Sequence, residues 1–109
     1  MKQERKIIAY KNYYRDFMDT LSMGARKKIH YALDLLASEE KVSGKFVKYL
    51  TDGIYELRAE YEGNIYRMFF IFDKGNIIVL FNGFQKKTQK TPSNEIDKAI
   101  KLKNEYYGQ

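Results

Sequence analysis

From Ile54 to Phe84 the chain alternates so regularly, and turns so sharply, that it must form an antiparallel meander. Ile54 to Tyr61 places Tyr55, Leu57, Ala59 and Tyr61 on one face and Glu56, Arg58 and Glu60 on the other. That is the period-2 pattern of a strand with one face on a core. Glu62-Gly63-Asn64 supplies a turn. Ile65 to Phe72 is a long apolar strand broken by one charge, Arg67. Asp73-Lys74-Gly75-Asn76 forms a second hairpin turn, and Ile77 to Phe84 completes three strands.

The flanks are helical. Ile7-Ile8-Ala9-Tyr10 reads as a short first strand, and Asn12 is placed to cap a helix carrying Tyr14, Phe17, Met18 and Leu21. Ser22 caps a second helix, whose Ala25, Ile29, Ala32, Leu33 and Leu36 share one face at a 3.6-residue period. Arg26, Lys27 and Lys28 leave its opposite face basic, and Ser43-Gly44 breaks the chain. After the meander, Thr91 at N-cap and Pro92 at the first helical position open a final helix marked by Ile96, Ala99, Ile100 and Tyr107. The expected fold is one α+β domain over residues 1–109. Its order is β-α-α-β-β-β-α, an antiparallel sheet with helices packed on it.

Composition narrows the chemistry. With no cysteine and one histidine there is neither a thiolate nor a histidine-cluster metal site, and no cofactor is expected. The polar opening residues contain no leader or span, so a cytoplasmic protein without a membrane partner is expected. The net charge of +6 and pI of about 9.4 point to a polyanionic partner.

Hairpin geometry locates that charge. A two-residue Glu62-Gly63 loop sets Arg58 directly opposite Arg67, and a Gly63-Asn64 loop still keeps both on one face. A two-residue Lys74-Gly75 loop sets Arg67 opposite Asn82, giving a row across three strands. Like charges facing each other on a sheet are destabilising. Either Glu56 and Glu60 neutralise the arginines in a surface network, or the pair is a phosphate site of planar donor forks. Arg67 is the sharper case, since a buried arginine without an anionic partner is costly.

Gln85 to Pro92 carries Lys86, Lys87, Thr88, Gln89 and Lys90 between the last strand and a helix N-terminus that favours anions. It reads as a phosphate-binding loop or as a merely solvated one. Lys45, Lys48 and Tyr49 interleave basic and aromatic residues, which suits RNA backbone contact and stacking. The alternative is a solvated segment with Phe46 and Tyr49 in the core. His30 reads as a helix-surface residue.

Taken in order, Ile54-Tyr55-Glu56-Leu57-Arg58, Tyr66-Arg67-Met68-Phe69-Phe70, Asn82-Gly83-Phe84, Lys86 to Pro92 and a charged helix opening at Glu95 resemble the RelE/ParE toxin superfamily. The resemblance is greatest to its HigB-like, phage-derived branch. It implies a RelE-like fold and the toxin of a type II toxin–antitoxin pair. Such a toxin is a metal-independent endoribonuclease that enters the ribosomal decoding site and cuts mRNA by 2′-hydroxyl attack on the adjacent phosphate. The implied partners are a cognate antitoxin, the ribosome and mRNA. The reaction needs a base, an acid and a stabiliser of the charged phosphorane. By resemblance, Arg67 grips the scissile phosphate and Arg58 supports it. Lys86 and Lys87 occupy the basic position after the last strand, where crowding by cations lowers a lysine pKa enough to shuttle a proton. Lys45, Lys48, Asn82, Thr88, Gln89 and Lys90 are the expected RNA contacts. The C-terminal tyrosine of some relatives has no clear match before Tyr106 and Tyr107, which read equally as core or tail. Tyr61 and Tyr66 are the remaining candidates, but alternation puts both on the face opposite Arg67 and they read mainly as structural. The same superfamily fold serves ParE-like topoisomerase inhibitors, and a phage-derived binder that has lost catalysis is a third alternative.

Overall fold

The computed structural model describes residues 4–39, 41–86 and 92–108, with the side chain of Lys86 excepted. Its elements are β1 (Lys6–Ala9), α1 (Tyr13–Asp19), α2 (Met23–Ser38), β2 (Val47–Thr51), β3 (Ile54–Tyr61), β4 (Asn64–Asp73), β5 (Ile77–Lys86) and α3 (Ser93–Tyr106). The strands form one sheet in the order β1-β5-β4-β3-β2.

The α+β class and the meander are as expected, but two features differ. A further strand, β2, precedes the meander and pairs antiparallel with β3. Its pattern does not alternate, because Lys48 and Tyr49 are both exposed and a register shift falls between Tyr49 and Thr51. The readable signal was the Asp52-Gly53 turn, where both residues take positive φ (49° and 78°) as a tight hairpin requires. The sheet is also mixed rather than antiparallel, since β1 lies parallel to β5. The α1–α2 hairpin carries the chain across one face to the far edge, and the meander returns β5 beside β1.

Both faces are covered. Helices α1 and α2 pack on Leu57, Ala59, Tyr66, Met68, Phe70, Ile78 and Leu80. On the other face Ala99 and Leu102 of α3 pack with Ile54, Phe69, Ile71, Val79, Phe81 and Phe84. Sandwiching of β4 between these layers explains its nearly unbroken apolar run. Among the described residues no helix is long and apolar enough to cross a membrane.

Capping is local. Ser22 Oγ accepts from Ala25 N at 3.3 Å, whereas Asn12 makes no side-chain cap. Arg26 Nε donates to Met18 O at 2.8 Å, in the last turn of α1, and to Leu21 O at 3.1 Å, in the connection that follows. Pro92, with extended ψ of 134°, sits at the N-cap of α3 rather than inside its first turn, and Thr91 lies outside the described residues.

Register positions the site. Tyr61 pairs with Asn64 around a two-residue Glu62-Gly63 loop, so Arg58 lies directly opposite Arg67. The β4–β5 hairpin departs from expectation. Asp73 pairs with Ile77 around three residues, Lys74 to Asn76, and a second shift falls between the Met68 and Phe70 pairs. Phe81 and Asn82 there oppose the single residue Phe69, a bulge on β5. Each shift moves the partner by one residue, so Arg67 faces Phe84 and not Asn82.

Candidate anion-binding site

The centre of the site is Arg67, whose side chain is only 3% exposed. Its neighbours Tyr66 and Met68 belong to the core under α1 and α2, so alternation drives Arg67 to the α3 side of the sheet. Glu56 answers it. On β3 it lies two residues before Arg58 and reaches diagonally to accept a hydrogen bond from Arg67 Nη1. Glu56 is itself 1% exposed, so this is a buried ion pair and not the surface network that the polar pattern of β3 suggests. Arg67 Nε is buried and has no hydrogen-bond partner among the described residues. Burial pushes the Arg67 guanidinium down from its ordinary pKa; Glu56 pulls it up and Arg58 pushes it down.

Arg58 is the accessible member. It is half-buried and makes no ion pair among the described residues. Its guanidinium is an uncommitted donor fork with a second cation directly across the strand pair, which favours an arriving anion.

Other expected residues are distributed around this pair. Lys48 is exposed and pairs with Glu56 across β2 and β3, so it belongs to the same sheet face. Lys45 is exposed and, with Arg58, Glu60 and Ile65, lines a small cavity of about 150 Å³. The backbone of Lys86 lies opposite Ile65 at the end of β5. Lys87, Thr88, Gln89 and Lys90 lie outside the described residues.

Asn82 does not join the arginines. It is buried beneath the first turn of α3, where Nδ2 donates to Glu95 O at 3.3 Å and Glu95 Oε1 at 3.4 Å. Its role here is to tie β5 to α3. Tyr49 is exposed rather than in the core; its ring meets Tyr55 at 5.1 Å and its hydroxyl accepts from Gly53 N at 3.2 Å. His30 is exposed on α2, and Tyr61 and Tyr66 pack with the core on the face away from Arg67. The hydroxyls of Tyr106 and Tyr107 donate to Asp73 at 2.8 and 3.0 Å, which pins the end of α3. Among the described residues no three His, Cys, Asp or Glu side chains gather where they could hold a metal ion.

The site is therefore a fixed cation, Arg67, clamped from one side by Glu56, with an accessible cation, Arg58, beside it and lysines around the rim. Sequence reasoning missed the burial of Glu56. Its signal was present: Glu56 and Arg67 stand on one face of adjacent strands within diagonal reach.

A family model described as phage derived protein Gp49-like (DUF891) matches residues 16–104. No curated protein matches the chain. The matched span begins in α1, contains the whole β2–β5 sheet with its paired arginines, and ends within α3. The chain thus belongs to the phage-derived Gp49-like family, part of the RelE/ParE-like toxin superfamily.

Proposed function

We propose that the chain is the toxin of a type II toxin–antitoxin pair, a ribosome-dependent mRNA endoribonuclease of the HigB-like branch. The observation that carries this reading is the facing pair Arg58 and Arg67, with a single carboxylate in direct contact among the described residues. Two guanidiniums side by side cost stability unless an anion uses them. Glu56 offsets one of the two, which leaves the site a net cation.

The chemistry follows from that placement. The ribose 2′-hydroxyl attacks the adjacent phosphorus, the phosphorane gains charge, and the 5′-oxygen leaves. Arg58, the accessible member, donates to the phosphate oxygens in the role that the resemblance gives to Arg67, which is itself buried and held by Glu56. Stabilisation grows as charge develops, because the cations are already in place. Lys86 and Lys87, continuing from the end of β5, are the proton-transfer groups. The cognate antitoxin covers this basic surface until it is removed.

The burial of Arg67 favours a second reading. A guanidinium already held by a carboxylate is also what a scaffold needs, and the pair then organises a surface that binds a partner without cleaving RNA.

One experiment separates them. The protein is induced in cells and message ends are mapped by primer extension, beside Arg58→Ala. Codon-phased cuts that vanish with Arg58→Ala are the expected result. Growth arrest with intact messages and a DNA-damage response would replace the proposal with topoisomerase inhibition. Absence of toxicity would leave the partner-binding reading.

A further inference from the structure

The end of β3 outruns its neighbour. β2 pairs no further than Val47 with Leu57, followed by one bond from Arg58 N to Phe46 O at 2.7 Å. Ala59 to Tyr61 are therefore a sheet edge on that side. Helix α2 passes over this edge at Gly24, where an added Cβ would lie 2.1 Å from Tyr61 Cζ. The result is a groove of about 500 Å³. Lys28 and Tyr31 of α2 form one wall, Lys45 and Phe46 the other, and Ala59 to Gly63 the floor. Lys45, Phe46, Ala59 and Glu60 also line the smaller cavity that Arg58 and Ile65 share, so the two spaces adjoin along the edge of β3.

The lining has a recognisable chemistry. Tyr31 is 57% exposed, and its ring meets Phe46 nearly edge-on at 6.1 Å. Lys45 Nζ stands 5.7 Å from the Phe46 ring centre. An aromatic platform in solvent with cations on both walls is the pattern that binds single-stranded nucleic acid, stacking for the base and charge for the backbone. The groove also contains Glu60 and Glu62. These carboxylates repel phosphate and acidic peptide alike, but they accept hydrogen bonds from the N–H edge of a base. An unpaired nucleotide satisfies both halves of the lining.

We propose that this groove holds one unpaired nucleotide of a single-stranded RNA and leads the strand to Arg58. The base stacks on Tyr31 with its polar edge toward Glu60 and Glu62, and the flanking phosphates lie on Lys28 and Lys45. This rests on RNA being the ligand of the arginine site and adds the path by which the strand reaches it.

The test is fluorescence anisotropy of a short labelled single-stranded RNA, and of the same sequence as a duplex, across a salt series. Tyr31 is exposed, so its variants fold. Tyr31→Ala is expected to weaken single-strand binding about 10-fold with an unchanged salt slope, while Tyr31→Phe stays within about 2-fold of the parent. Lys28→Ala is expected to reduce the slope by about 0.7, the loss of one phosphate contact. The duplex binds more weakly than the single strand. If Tyr31→Ala binds as the parent does while Arg58→Ala loses affinity, the groove is off the path although the arginine site stands. If Tyr31→Ala leaves RNA binding intact but weakens capture of the cognate antitoxin, the groove belongs to that protein and the proposal is overturned. If no version binds RNA, the proposal falls together with the function on which it rests.

Discussion

At Arg67 the question is what answers a charge that water cannot reach. Glu56 does, and both groups are almost fully buried. Taking one partner from such a pair strands the other, which costs about 3–5 kcal/mol, whereas replacing both by apolar residues of similar volume is often neutral. Glu56→Gln is therefore expected to lower stability by about 3 kcal/mol or more, read as a shift of the urea midpoint at constant slope. Glu56→Met combined with Arg67→Met is expected to recover most of that loss. A Glu56→Gln protein within about 1 kcal/mol of the parent would show that Arg67 is neutralised elsewhere. The sequence displays half of this arrangement. Arg67 visibly interrupts an apolar strand, and Glu56 stands within reach. What hides the burial is that Glu56, Arg58 and Glu60 together look like a solvent face. Its burial comes from the tertiary packing around that face, which the pattern of β3 alone does not display.

Among the elements, β5 shows where sequence reasoning loses its hold. Turn residues announced a hairpin after Asp73, but neither the three-residue loop nor the bulge at Phe81-Asn82 is encoded by a distinctive residue. The strand was legible and its register was not, which is why Asn82 was expected beside Arg67. The neighbouring Gly83 has a packing reason to be glycine. A Cβ there would lie 2.4 Å from Phe17 Cδ2, so β5 receives the ring of α1 against bare backbone. Gly83→Ala is expected to destabilise by about 1–3 kcal/mol through overpacking. A double-mutant cycle with Phe17→Leu checks the cause: the two changes should be less harmful together than their sum. Additive losses would assign the effect to the backbone of β5 instead.

Helix α3 is held by titratable groups, and their shifts agree in sign at high pH. The hydrogen bond to Asp73 raises Tyr106, with burial adding to it; burial first and then Asp73 raise Tyr107. A hydrogen bond from Lys11 to Glu105, with their attraction, raises Lys11. For all three the folded pKa exceeds the unfolded one. Their contribution is complete below the unfolded values of about 10 and is lost as pH rises through the folded ones. Glu105, held low chiefly by the hydrogen bond from Lys11, loses its contribution as pH falls through its depressed folded pKa. Hydrogen exchange is expected to accelerate in α3 above about pH 10 before it does in β4. Asp73→Asn should move the tyrosinate absorbance transition to lower pH. Simultaneous exchange of α3 and β4 would show that the helix has no separate alkaline release.

For the molecule as a whole, the superfamily was legible because it rests on order and spacing, which survive errors of register. The missing β2 and the parallel β1 did not disturb it. Charge is a different matter, since a net value of +6 says that polyanions are attracted but not where they dock. Salt dependence distinguishes the two. If binding were a property of net charge, the slope of log affinity against log salt would follow the total. If binding is local, it follows the number of phosphates neutralised, at about −0.7 per contact on a single strand. Arg58→Ala removes one positive charge at the site. Lys101→Glu reverses one on the exposed surface of α3, toward the end where Lys103 and Tyr106 meet Asp52 and Asp73, and so changes the total by twice as much. The expected result is that Arg58→Ala flattens the slope for RNA by about 0.7 while Lys101→Glu leaves it nearly unchanged. The reverse order would mean that RNA reads the whole surface and that the facing arginines are only part of the sheet's internal bracing.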